Sequence, residues 1–171
     1  MGRWPHVAKD SSFDVVSVVD VQEVDNAYQQ TARELTQRYD LKQSGASIAF
    51  SKKDQVFTVS APSEFVANQV IDVLGTKLVR RGIDLNAIRW DKPQAAAGMS
   101  VRQTGRIVQG IDQDTAKKIA KDIRDLKLKC KPVVEGDKLR VSSASKDVLQ
   151  QVIAMLREAD YGQPLQFVNY R

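Results

Sequence analysis

The chain has 171 residues, 42% hydrophobic and 27% charged, with a formal net charge of +5. That is enough chain for two small domains, and no stretch approaches the ~20 apolar residues of a membrane span. A lone cysteine, Cys130, excludes an intrachain disulfide or thiolate zinc cluster, and the lone histidine, His6, sits in a polar leader away from any triad partners.

Residues 13–19 read as a β-strand. Val21, Val24, Tyr28, Leu35 and Tyr39 then recur at helical spacing, and Asp20 with Glu23 makes a capping box at that helix's start. Residues 46–50 and 56–60 are rich in β-formers and flank a turn at Lys52-Lys53-Asp54. Val66, Val70, Val73, Leu74 and Leu78 form a second helical stripe, followed after Gly82 by a short strand ending in Ile88-Arg89-Trp90. Residues 91–100, with Pro93, three alanines and Gly98, show no period, and 92–100 reads as a linker.

The order then repeats. Residues 101–108 read as a strand, and Ala116, Ile119, Ala120, Ile123 and Leu126 as a helix. Residues 129–134 and 138–142 flank the turn Glu135-Gly136-Asp137. Val148, Val152, Met155, Leu156 and Ala159 mark the last helix, and Phe167 to Tyr170 the last strand. Sliding the chain by 82 residues lays Val59-Ser60 on Val141-Ser142, Val70-Ile71 on Val152-Ile153 and Leu74 on Leu156. The pattern is thus βαββαβ twice, in an α+β fold. Each half is expected to form an antiparallel four-stranded sheet with two helices on one face. The expected domains are 12–91 and 101–171. The strands 13–19 and 101–108 are similar enough to be exchanged between the two, which periodicity does not decide; contiguous domains are the expectation.

Recognisable catalytic chemistry is absent. There is no Gly-x-Gly-x-x-Gly and no P-loop, and Asp112, Asp114, Asp122 and Asp125 read as helix caps and solvated charge. No cofactor, metal site or enzymatic activity is expected. Cys130 alternates with Lys129 and Lys131, which places the thiol toward the core. The leader lacks the apolar stretch of a signal peptide, so a cytoplasmic setting without a membrane partner is expected.

Charge points to an anion. Residues 1–95 hold 12 basic and 12 acidic side chains, whereas residues 96–171 hold 14 and 9. Alternation places Arg102, Thr104 and Arg106 on one face of their strand, and Lys138 and Arg140 on one face of theirs. In contiguous domains these join in one basic, hydroxyl-bearing plate, with Arg102, Arg106 and Arg140 as phosphate ligands. A second anion site is expected where Gln109-Gly110 enters a helix carrying Lys117 and Lys118. No aromatic occurs in 101–108 or 138–142, so base stacking of the RNA-recognition type is not expected there. Charge-driven binding of RNA or other nucleic acid is the alternative to a nucleotide.

Several segments resemble the YajQ family of bacterial nucleotide-binding proteins. They are Ser12-Phe13-Asp14-Val15-Val16-Ser17, Arg80-Arg81-Gly82-Ile83, Gln109-Gly110-Ile111, Ala116-Lys117-Lys118-Ile119, Gly136-Asp137 before Leu139-Arg140-Val141, and the ending from Gly162 to Arg171. The likeness covers residues 12 to 171. It implies tandem ferredoxin-like domains of RNA-recognition topology and a binding role in place of catalysis. Family members are associated with nucleotides, and some with cyclic di-GMP and transcriptional control. The implied partners are therefore a nucleotide or cyclic dinucleotide, with a nucleic acid or transcription factor downstream.

Overall fold

Four short polar side chains set where the long helices begin. The structure, a computed structural model, describes residues 10–171. Its elements in order are β1 (Ser11–Val16), α1 (Val21–Gln37), α2 (Tyr39–Lys42), β2 (Ser47–Ser51), β3 (Val56–Ala61), α3 (Glu64–Arg80), β4 (Ile88–Trp90), β5 (Gln94–Ala95), β6 (Val101–Ile107), α4 (Gln113–Asp125), β7 (Lys131–Glu135), β8 (Lys138–Ser143), α5 (Lys146–Glu158) and β9 (Gln166–Val168). Asp20, Ser63, Asp112 and Ser145 cap α1, α3, α4 and α5 by accepting from the amides of Glu23, Val66, Thr115 and Val148. First-turn amides lack partners inside the helix, so each cap contributes about 1 kcal/mol.

Among the described residues every strand pairing is antiparallel, and the strands form two sheets. One has the order β2-β3-β6-β4, with β5 also on β6; the other has the order β7-β8-β1-β9. The contiguous assignment of strands is therefore corrected. The first strand, β1, lies between β8 and β9, and β6 lies between β3 and β4. One compact unit is residues 19–108, and the other joins residues 10–18 to residues 109–171.

The expected linker is corrected with it. Gln94 and Ala95 pair with Arg102 and Val101, and the Ala96 amide donates to the Ser100 carbonyl at 2.8 Å. Because β6 stays in the sheet of β4, the chain between them is one long hairpin. The charge reading changes too. The 19–108 unit holds 12 basic and 10 acidic side chains, leaving 14 and 11 elsewhere, so the excess is nearly shared.

Each unit has its own core. In 19–108, Phe57, Val59 and Ile107 from the sheet pack with Val24, Leu35, Val70 and Leu74 from α1 and α3. In the other, Phe13 and Val15 of β1 pack with Leu139 and Val141 of β8 and with Ile119, Ile123, Val152 and Leu156 of α4 and α5. Phe13 is fully buried, a transfer of roughly 2–3 kcal/mol that ties β1 to this sheet.

Candidate anion-binding face

In the 19–108 sheet one face is committed to the core. Phe57, Val59 and Ala61 of β3, and Gln103, Gly105 and Ile107 of β6, are buried. Strand alternation then turns Thr58 and Ser60, and Arg102, Thr104 and Arg106, to the opposite face, away from the helices. The register sets these in rows. Arg106 lies between Val56 of β3 and Arg89 of β4; Thr104 lies opposite Thr58; Arg102 lies between Ser60 and Gln94.

Arg89 and Arg106 are thus direct cross-strand partners. Their Cβ atoms are ~5 Å apart, and like charges in that arrangement are destabilising. One carboxylate answers them: Asp91 Oδ2 lies 3.4 Å from an Arg106 terminal nitrogen. Both partners are largely exposed, at 49% and 66%, so this pair contributes at most about 1 kcal/mol. Among the described residues neither Arg89 nor Arg102 has an ion-pair partner. The nearby aromatics lie on the other side. Phe50 stacks on Phe57 with ring centroids 4.3 Å apart, and Trp90 lies against Phe57 at 6.0 Å. Beside Val56, the open face presents guanidinium and hydroxyl groups, which suit phosphate oxygens.

Arg140 does not belong to this face. It lies on β8, in the other sheet, because β1 and β6 have exchanged sheets relative to the expected division. There it faces Asp14 of β1, whose side chain is only 2% exposed. Asp14 accepts from Asn169 Nδ2 at 2.8 Å, Arg140 Nε at 3.3 Å and Lys138 Nζ at 3.4 Å. Glu135 lies 3.7 Å from a terminal nitrogen of Arg140. Burial pushes the Asp14 carboxyl up, but the hydrogen bonds from Asn169, Arg140 and Lys138, with the Lys138 charge, outweigh it and hold the group below its ordinary value. Within this cluster two cations and two carboxylates compensate one another.

The entrance to α4 is also occupied. The Gly110 amide donates to the Ser17 carbonyl at 2.7 Å, and the Gly110 carbonyl accepts from Gln163 Nε2 at 2.7 Å. Gly110 holds φ at +76°, a region open to glycine, so this exchange needs glycine here. Gln109 is exposed beside it. Asp112 and Asp114 bring carboxylates to the first turn, where a phosphate would need free amides. Lys117 is exposed, and Lys118 Nζ lies 5.8 Å from the centre of the Tyr161 ring. Cys130 is half-buried against the core, and burial pushes its thiol up. His6 lies outside the described residues.

Of the expected site residues, then, the structure unites Arg102 and Arg106 and adds Arg89, Thr58 and Ser60. Arg89 was legible only as the outward residue between Ile88 and Trp90; its place opposite Arg106 comes from pairing. Among the described residues no helix is long and apolar enough to cross a membrane.

Comparison with known proteins supplies the wider setting. A family model described as "Nucleotide-binding protein YajQ-like" matches residues 11–171. A protein of Chloroherpeton thalassium named "Nucleotide-binding protein" is 45% identical over 160 residues, covering 94% of this chain and 97% of that protein. One of the same name from Desulfitobacterium hafniense is 47% identical over 165 residues, covering 96% of this chain and all of the relative. A Bacillus cereus relative, also named as nucleotide-binding, is 46% identical over 165 residues, with 96% of this chain and 100% of its own length covered. The chain therefore belongs to the YajQ-like family of nucleotide-binding proteins.

Proposed function

We propose that this protein is a non-enzymatic nucleotide receptor that holds its ligand's phosphates on the open face of the 19–108 sheet. The observation that carries this reading is the like-charge pair Arg89 and Arg106, set directly opposite each other beside Arg102. An anion relieves that repulsion, and its hydrogen bonds to guanidinium contribute about 1.5–3 kcal/mol each. The family and the names of its relatives support a nucleotide as that anion. A ferredoxin-like reading of both units rests on the sheet orders, with β1 and β6 each taken as the first strand of the sheet it joins. The family resemblance extends the proposal to a cyclic di-GMP effector acting on transcription, in the cytoplasm.

Titration calorimetry of the full chain with mononucleotides and cyclic di-GMP tests it. Arg106→Gln should weaken binding by roughly 10- to 150-fold. Unchanged affinity in that variant, with the fold retained, removes the face from the binding site.

A further inference from the structure

We propose that the outer edge of β4 receives an extended peptide segment of a partner protein, with an acidic residue opposite Arg89 and an apolar residue on either side of it. The peptide lies antiparallel to β4 and extends the 19–108 sheet by one strand.

Strand pairing leaves this edge open. Among the described residues β4 is paired on one side only, with β6. The Asp91 amide donates to the Thr104 carbonyl at 2.8 Å, and the Val108 amide donates to the Ala87 carbonyl at 2.8 Å. In an antiparallel ladder, bonded residues alternate with residues whose amide and carbonyl turn away from the partner. Ala87, Arg89 and Asp91 therefore face β6, while Ile88 and Trp90 face the outer edge. The Ile88 amide donates to the Leu85 carbonyl in the turn before β4. The Ile88 carbonyl and both Trp90 backbone groups remain as a template for an added strand.

A groove of about 680 Å³ lies beside that edge, lined in part by Ile71, Gly75 and Val79 of α3 and by Leu85, Ile88 and Trp90. Val79 and Leu85 are more than half exposed, at 56% and 57%. Gly75 keeps the groove open, although glycine weakens a helix interior. The residue 82 positions further on is Arg157 of α5. In its own unit Arg157 reaches the edge strand β9, with its guanidinium carbon 5.6 Å from the centre of the Phe167 ring. Gly75 sends no such side chain toward β4; only Leu85 Cδ2 comes near, 3.2 Å from where a Cβ would stand.

Charge selects the occupant. Arg89 already faces Arg106 on β6, and it has no ion-pair partner among the described residues. The residue of an added strand opposite Arg89 has its Cα ~4.5 Å away. An acidic side chain there is favoured, where a basic one is destabilising. Its two neighbours turn to the other face, toward the groove, which takes apolar side chains. Arg80 also lines the groove, exposed and without an ion-pair partner among the described residues, and adds to the preference for acid. Asp72 lines it about two helical turns away and favours a peptide whose charge lies toward Arg80. The same rule disfavours a second copy of this chain, because β4 against β4 about a two-fold axis sets Arg89 opposite Arg89.

The test titrates the full chain with the labelled peptide Ser-Val-Glu-Val-Ser at up to millimolar concentration, read by fluorescence anisotropy. Replacing the central Glu by Lys should weaken binding about tenfold or more. Methylating the amide nitrogens of both valines, which face β4, should do the same, while methylating that of Glu, which faces away, should have little effect. The peptide should also slow hydrogen exchange at the Trp90 amide. Arg89 belongs to the phosphate reading as well, so the deciding variant is Gly75→Leu, which fills the groove and lies outside the phosphate face. It should abolish peptide binding and leave nucleotide affinity unchanged. Val79→Ser carries the expectation of weakened peptide binding without altering the helix interior. No binding by the Glu peptide overturns the proposal, as do equal affinities of the Glu and Lys peptides or unchanged peptide affinity in folded Gly75→Leu. A dimer of the chain that Gly75→Leu dissociates overturns it in favour of a second copy. In each of these cases the phosphate face stands or falls separately, on Arg106→Gln.

Discussion

Arg140 and Asp14 are register partners on β8 and β1, and Arg140 Nε donates to Asp14 Oδ1 at 3.3 Å across that pair. This contact makes Arg140 a structural cation. Arg140→Gln should lower stability by about 1–2 kcal/mol, since the remaining bonds to Asp14 persist and Arg140 is one-third exposed. Nucleotide affinity should not change. A urea midpoint equal to that of the parent, together with weakened binding, would return Arg140 to the ligand site.

Asp14 gives the same network a pH signature. Its folded carboxyl is held below the ordinary 3.8, so the ionised form is tied to the folded state. The stabilisation is complete above that value and is lost as pH falls through the lower folded value. Asp14→Asn leaves Lys138 and Arg140 without their buried anion and should cost about 2–3 kcal/mol at neutral pH. Parent and variant should converge in urea stability below pH 3.8. A constant difference down to pH 2 would show that Asp14 acts through shape alone.

Gly105 lies under the Trp90 ring. A Cβ there would come within 2.6 Å of Trp90 Cε3. Gly105→Ala must displace the indole, which packs against Phe57, and overpacking of this kind costs typically 1–3 kcal/mol. Trp90 fluorescence should shift in the same variant. Neither a change in melting temperature nor a change in emission would mean that the ring has room to move.

Asp91 competes with phosphate for Arg106, at 3.4 Å. Asp91→Asn should therefore tighten nucleotide binding by about two- to fivefold, the worth of an exposed pair. The gain should shrink at high salt. Calorimetry at two salt concentrations checks both statements, and weaker binding in the variant would place Asp91 among the ligand's own contacts.

The exchange of first strands predicts how the chain can be cut. Residues 19–108 hold a whole sheet and its core, so that segment should fold alone with a cooperative urea transition. Cutting within 91–100 separates β6 from β3 and β4, and β1 from β8 and β9. Those two pieces should be unfolded apart and regain circular dichroism when mixed. Two independently folded pieces from that cut would contradict the sheet orders.

Local chemistry was legible in the sequence because it is local. The caps at Asp20 and Asp112, the turn at Gly136-Asp137, the helical stripes and the outward set Arg102, Thr104 and Arg106 follow from spacing along a few residues of chain. Which sheet receives which first strand was not legible, and the candidate site turned on it. Alternation states that Phe13 and Val15 share a face, and that Gly105 and Ile107 share one; it does not state whose helices cover them. That choice belongs to packing. Phe13 and Val15 are buried with Leu139 and Val141 against α4 and α5, whereas Gly105 leaves the space that the Trp90 ring takes. Only once those surfaces met did Arg106 gain Arg89 as a neighbour and part from Arg140, because side chains on different strands become neighbours through pairing and not through sequence.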